Sequence, residues 1–327
     1  MKAVAHTARD ISSLTDIELP KPTPGARDLL VKVEAISVNP VDTKQRKTDT
    51  AAPRVLGWDA SGTVAAVGAQ VTLFKPGDEV YYAGDVTRPG CNSEFHLVDE
   101  RIVGRKPQSL DWAQAAAVPL TAITAWEAFF DRMKVAKGKS LLIINGAGGV
   151  GSIGIQIARL AGLKVVATAS RAETIAWVKE LGAGQVVDHG KALRPQLEAL
   201  GLKQIDYIAN FSGELDAHWP AMADLVAPQG AVLAIVGNRD PLPMDLVRSK
   251  SATVCWELMF TRPRFQTPDM IEQHQLLNQV GEWLEAGKLR STLRETLSPI
   301  NAANLRKAHQ RLESGKMIGK LVLQGWA

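Results

Sequence analysis

The chemistry open to this chain is written most plainly in Asn145-Gly-Ala-Gly-Gly-Val-Gly151. Gly146, Gly148 and Gly151 have the G-x-G-x-x-G spacing that cradles the pyrophosphate of a dinucleotide. The first glycine permits a tight turn, the second lets phosphate approach the main chain, and the third lets the next helix pack close to its strand. Gly149 and Val150 complete the turn, where free N–H groups and the helix dipole face an anion. A glycine triplet binds phosphate only in the right setting. Leu141-Leu-Ile-Ile144 supplies an apolar strand before it, and a helix to about Ala161 follows. That helix buries Val150, Ile153, Ile157 and Leu160 at helical spacing. With a nicotinamide dinucleotide held there, hydride transfer is the available reaction.

The next strand chooses the dinucleotide. Lys164-Val-Val-Ala-Thr-Ala169 reads as the parallel neighbour. An NAD-preferring site ends this strand with an acid, about 20 residues past the first glycine, to bind the ribose hydroxyls. Here the strand runs into Ser170 and Arg171 instead. A carboxylate repels a 2′-phosphate, whereas a hydroxyl and a guanidinium bind one. NADPH is therefore the expected cofactor. The purely structural reading makes Ser170 a helix N-cap and Arg171 a solvated first-turn residue.

The elements that must position these residues fill a chain of 327 residues, enough for two domains. Hydrophobic residues make up 46% and charged residues 22%, as in a soluble protein, and no apolar run reaches the roughly 18 residues of a membrane span. The first ten residues read as a short strand with early charges rather than a signal peptide. Cys91 and Cys255 cannot build a disulfide framework and suit the cytoplasm. The net charge of +4 has one dense cluster, Lys44-Gln-Arg-Lys47, which lacks aromatics and reads as a solvated loop rather than a nucleic-acid site.

Residues 1 to 122 are expected to be mostly β, with strands at 29–36, 62–68 and 79–82 forming a small, partly closed barrel. From about Thr121 a helix carrying Trp126 and Phe129 leads into the glycine-turn strand. Strands are expected at 141–144, 164–169, 185–188, 205–210, 231–236 and 252–260, with helices between most of them. Such alternation makes an α/β Rossmann domain, 123–262, whose doubly wound parallel sheet has the order 3-2-1-4-5-6. Helices follow at 270–286 and 301–314. A final strand at 319–323 is expected to return to the first domain, so that 263–327 completes it.

With those elements in place, the chain resembles the medium-chain dehydrogenase/reductase superfamily over nearly its whole length. The resemblance is carried by Gly57-Trp-Asp-Ala-Ser-Gly62, Val67-Gly68, Phe74-Lys-Pro-Gly-Asp-Glu-Val80, Val118-Pro-Leu-Thr-Ala122, the glycine turn and Ser314-Gly-Lys-Met-Ile-Gly-Lys320. It implies a GroES-like barrel domain beside the Rossmann domain. Alcohol dehydrogenases of the family hold catalytic zinc at positions matching Asn39, Trp58 and the 118–122 segment here. None of those is a thiolate, imidazole or carboxylate, and only Cys91 falls where a structural-zinc lobe needs four cysteines. His96 and the other histidines show no ligand spacing. A protein without zinc is expected.

The zinc-free members it is similar to are the quinone oxidoreductases of the zeta-crystallin type. Their Asn-x-x-Asp signature appears as Asn39-Pro-Val-Asp42. The resemblance puts Asn39 beside nicotinamide and substrate, with capping of the local turn as the alternative, and makes Asp42 a helix N-cap. A tyrosine often found two residues after that Asp is Lys44 here, which removes an aromatic partner for a planar quinone. Trp58 and Thr121 are further substrate-side candidates. The resemblance also suggests Gly237 near the nicotinamide amide, His189 on the adenine side or at the surface, and Lys320 near the cofactor or exposed. It implies a homodimer, for which the apolar edge strand at 252–260 offers a surface to pair with its twin.

Without a Lewis acid, the easier chemistry is reduction of an activated double bond, in which the acceptor itself spreads the arriving charge. The expectation is hydride transfer from NADPH to a quinone or to the β-carbon of an α,β-unsaturated carbonyl, with the proton drawn from water or a nearby donor. A zinc-type alcohol dehydrogenase and a non-catalytic NADPH-binding protein are the competing readings.

Overall fold

A computed structural model of the chain describes residues 1–48, 50 and 52–326. They form two compact units, Met1–Ile123 with Phe260–Ala327, and Thr124–Met259. The first unit opens with β1 (Lys2–His6), β2 (Thr15–Glu18), β3 (Asp28–Ser37), α1 (Pro40–Arg46), β4 (Arg54–Val55) and β5 (Ala60–Val67). Then come β6 (Glu79–Tyr82), β7 (Phe95–Asp99), β8 (Val103–Arg105), α2 (Trp112–Ala116) and α3 (Pro119–Trp126). β3 is central to this unit: it pairs antiparallel with β5 on one side and with β7 and the C-terminal strand along the other. Leu29, Leu30, Val31 and Val33 are all buried, so the strand is covered on both faces. Each such side chain contributes about 1.5–3 kcal/mol.

The second unit contains β9 (Ser140–Ile144), α4 (Gly149–Leu160), β10 (Lys164–Thr168), α5 (Ala172–Glu180), β11 (Gln185–Val187) and α6 (Leu193–Ala199). It continues through β12 (Ile205–Asn210), α7 (Leu215–Leu225), β13 (Val226–Ala234), α8 (Asp245–Arg248) and β14 (Thr253–Trp256). Among the described residues these strands form one parallel sheet in the order β11-β10-β9-β12-β13-β14, the doubly wound order read from the sequence. Leu142, Ile144, Val166, Ile208 and Val232 pack with Leu197 and Trp219 into its core. The chain then returns to the first unit through α9 (Thr261–Phe265), α10 (Ile271–Glu285), β15 (Leu293–Leu297), α11 (Ala302–Glu313) and β16 (Lys320–Gln324). β16 lies between β15 and β3.

Several local expectations need correction. The apolar run 252–260 is a strand only from Thr253 to Trp256, and the residue that follows it, Glu257, is buried. β13 starts at Val226, five residues early, and Gln229 takes a positive φ of 62° where the pairing shifts. Leu160 is 40% exposed at the end of α4, and Ile155 is buried there instead. Lys44–Lys47 is not a loop: α1 takes in Lys44–Arg46 with Lys47 as its C-cap, and Arg46 is buried against Glu313 at 2.6 Å. The helix before β9 passes into a π-helix, Glu127–Arg132, which periodicity did not announce.

Candidate active site

The glycine turn is built by contacts on every side. Asn145, not Gly146, holds the left-handed backbone, with φ 64°. Its amide donates to Thr168 Oγ1 at 2.9 Å, and its side chain donates to the Phe211 carbonyl at 3.0 Å. The turn is thereby tied to the ends of β10 and β12. A Cβ on Gly146 would lie 2.9 Å from the Ala167 Cβ, so the first glycine serves close packing against β10. On Gly148 a Cβ would lie 2.7 Å from Asn145 Nδ2; on Gly151 it would lie 2.7 Å from Gly146 Cα. Gly148 is the N-cap of α4, and no side chain caps the helix. The amides of Gly149, Val150 and Gly151 thus open the helix without intrahelical acceptors. An uncapped start with glycine at three of its first four positions, Gly148, Gly149 and Gly151, fits a pyrophosphate, supplied with N–H donors and a favourable dipole.

Ser170 is exposed and lies one residue outside α5, so it does not cap the helix. Arg171 holds the N-cap position, and Thr174 Oγ1 accepts from its amide at 3.1 Å. The Arg171 guanidinium is 39% exposed and pairs loosely with Glu173 at 3.4 Å. Exposed pairs of this kind contribute about 0.2–1 kcal/mol, so a dianionic phosphate can displace the glutamate. His189 is exposed in the turn after β11, and Gly237 is exposed beyond β13 with open space at its Cα.

In the first unit a buried polar cluster joins four of the sequence candidates or their neighbours. Lys320, at the start of β16, is buried, and its ammonium reaches Asp59 Oδ2 at 3.1 Å, the Val38 carbonyl at 3.0 Å and Asn39 Oδ1 at 2.5 Å. It is not an exposed lysine. Asn39 Nδ2 donates to Asp59 Oδ2 at 3.1 Å and to the Ser37 carbonyl at 3.2 Å. Its side chain belongs to this network, and Asn39 is also the N-cap of α1, in a capping box with Asp42. Asp42 sits at the third position of α1, not at its N-cap, and accepts from the Asn39 amide at 2.8 Å. Burial pushes the Asp42 carboxyl up to about 7, against that amide and Lys320. Burial likewise raises Asp59, opposed by the Lys320 ammonium. Asp59 Oδ1 accepts from the Leu120 amide at 3.1 Å, which anchors the start of α3 beside Thr121. The Thr121 hydroxyl donates to the Val118 carbonyl at 3.1 Å. Trp58 is buried, donates to the Asp85 carbonyl at 2.9 Å, and meets Phe260 edge-on.

Asp59 is the member that sequence reasoning passed over. A carboxylate inside the apolar, glycine-bounded run Gly57–Gly62 was the available signal. The donors around it do not suit zinc. Both Asp59 oxygens are occupied, Asn39 offers only an amide, and burial holds the Cys91 thiol, 3.6 Å from the Asp59 carbonyl, well above its ordinary value. Among the described residues no three His, Cys, Asp or Glu side chains are arranged to hold a metal. His96 is held by Tyr82 and the Pro89 carbonyl, each at 3.0 Å, and burial lowers it to about 4.

This architecture has known counterparts. Residues 25–118 match the alcohol dehydrogenase GroES-like domain, and residues 181–323 match the zinc-binding dehydrogenase family. A zinc-type alcohol dehydrogenase-like protein of Staphylococcus aureus is 46% identical over 93% of this chain and 92% of its own. The chain belongs to the medium-chain dehydrogenase/reductase superfamily. Within that superfamily it falls in the quinone oxidoreductase-like branch, and it is an oxidoreductase. The crystal structure of a candidate zinc-dependent alcohol dehydrogenase from Rhizobium etli CFN 42 is 52% identical, with a TM-score of 0.96 covering 100% of this chain and 98% of that one. The quinone oxidoreductase of Coxiella burnetii is 26% identical, with a TM-score of 0.82 and 99% of each chain covered. An NADPH-dependent alkenal/one oxidoreductase of Arabidopsis thaliana is 31% identical over 90% of this chain and 71% of its own. The superfamily's zinc names therefore sit beside a cluster whose cation is an ammonium.

Proposed function

We propose that the protein is an NADPH-dependent, zinc-independent reductase of quinones or α,β-unsaturated carbonyls. The observation that carries the reading is Lys320, whose buried ammonium is fixed against Asp59 and against Asn39, one of the positions that the resemblance matches to zinc ligands. The alkenal/one oxidoreductase relative supports the substrate class and the cofactor. A nicotinamide dinucleotide, when bound, supplies the hydride.

The chain's own part is binding and orientation. The first-turn amides of α4 hold the pyrophosphate, and Arg171 with Ser170 holds the 2′-phosphate. Gly237 leaves room for the carboxamide at the end of β13, while His189 borders the adenine. In the first unit, Trp58 supplies an apolar wall, and Asn39 and Thr121 belong to the main-chain framework against which the acceptor lies. The Lys320 ammonium already makes three hydrogen bonds, so it is not a free acid, and the proton completing the reduction comes from water. An acceptor that delocalises the incoming charge needs no stronger electrophile than this. The same reading makes the protein a cytoplasmic homodimer. No helix among the described residues is long and apolar enough to cross a membrane.

A screen of NADPH oxidation across quinones, enals and enones, with NADH as comparator, tests the proposal. Turnover of one acceptor class with NADPH preferred is expected. Tight NADPH binding without turnover on any acceptor would replace it with the non-catalytic reading, and alcohol oxidation dependent on stoichiometric zinc would replace it with the alcohol dehydrogenase reading.

A further inference from the structure

Three chain segments distant in sequence converge on the Asp59 carboxylate: the Asn39 side chain after β3, the Leu120 amide opening α3, and the Lys320 ammonium opening β16. Asp59 and Lys320 are nearly without solvent contact, at 0% and 3% exposure. We propose that Asp59, with Lys320 as its fixed counter-ion, is the positioning residue of the reductase, setting the Asn39–Pro40 turn and the Thr121 turn of α3 through one carboxylate. This rests on the reductase reading above.

Stability alone gives little reason for such a pair. A buried ion pair is often no better than well-packed apolar side chains, because desolvation offsets the attraction. The arrangement instead fixes geometry. Both amide hydrogens of Asn39 are taken up, by Ser37 and Asp59, and Lys320 occupies its oxygen. The Asn39 side chain therefore cannot swing, and Asp42 fastens the adjoining main chain from within α1. The second Asp59 oxygen holds the amide of Leu120, the second residue of α3 and the one before Thr121. The three bonds of Lys320 fix the carboxylate in turn. Removing the ammonium leaves Asp59 buried without a counter-ion, so the carboxyl takes up a proton or turns away, and either change loosens both turns together.

The test compares wild type with Lys320→Met, Asp59→Asn and Lys320→Arg in full-length protein. kcat and KM for the best acceptor, NADPH affinity by fluorescence, and hydrogen–deuterium exchange of the segments 37–46 and 117–123 are read for each. A displacement of about 1 Å can cost on the order of 100-fold in rate, so kcat should fall about 30- to 100-fold in Lys320→Met and Asp59→Asn. NADPH affinity should stay within about threefold, since the α4 turn is untouched. Exchange should rise in both segments at once, and Lys320→Arg, whose planar head cannot copy three converging N–H bonds, should not restore kcat. Unchanged kcat, a loss of NADPH affinity as large as the loss in kcat, or exchange rising in one segment alone would overturn the proposal. Should Lys320→Met fail to fold, Asp59→Asn decides by the same readouts, keeping the side-chain shape. If wild type turns over no acceptor, the reductase reading falls, and paired or unpaired exchange in the two segments still decides whether Asp59 positions them.

Discussion

Arg171 stands where the second strand of the nucleotide fold gives way to its helix, and its proposed part in binding a 2′-phosphate rests on that position alone. Replacing it with glutamate reverses the charge that the proposal sets against a 2′-phosphate. Arg171→Glu should weaken NADPH binding about 10- to 100-fold, the scale of a lost charge-assisted pair, while NADH changes less than about threefold. Fluorescence titration with both nucleotides measures this, and equal losses would remove Arg171 from the phosphate. Asp59 was illegible in the sequence. Leu120 lies 61 residues beyond it, and Lys320 comes from the last strand, so no local pattern records that one carboxylate serves both. Lys320 itself was noticed, yet its burial follows from β16 pairing with β3, which only the assembled sheet reveals.

At the scale of elements, the strands and helices around the glycine turn were legible because apolar runs and glycines repeat at strand and helix spacing. The exact duty of each glycine was not, since it depends on neighbours from β10 and on Asn145. Gly151→Ala should abolish measurable NADPH binding and destabilise the protein by about 1–3 kcal/mol, because its Cβ meets backbone that cannot yield. Thermal unfolding and nucleotide titration on the same sample check both effects. The π-helix and β14 hold a second feature hidden from pattern reading. Glu257 is buried beside Glu127, with Arg132 Nε 2.8 Å away. Burial first, and the Glu127 carboxyl next, push Glu257 well above the ordinary glutamate value. A carboxyl raised in the folded state contributes stability below its unfolded value, and that contribution is lost as pH rises through the folded one. Melting temperature should therefore decline from weakly acidic toward alkaline pH, and Glu257→Gln should flatten the decline. An identical slope in the variant would show that the pair does not control it.

For the whole molecule, the sheet order came from alternation of strands and helices, and the return of the last strand to the first domain came from its having no partner nearby in sequence; that the partner is β3 only the assembled sheet shows. The edge of the parallel sheet is shorter than its apolar run suggested, but Trp256 and Leu258 remain 46% and 47% exposed there. An unpaired edge bearing large apolar groups invites a partner, and a second copy supplies the same edge in reverse. Light scattering should give a dimer for wild type and a monomer for the double variant Trp256→Glu/Leu258→Glu; a monomeric wild type would remove the dimer. The central claim is that hydride transfer here proceeds on a protein whose internal cation is Lys320. It is tested most directly by the rate of NADPH oxidation with the preferred enone or quinone after exhaustive chelation, with zinc quantified in the same sample. Full activity at zinc contents far below one per chain is the predicted result. Activity that disappears with the metal and returns on adding zinc would contradict the account.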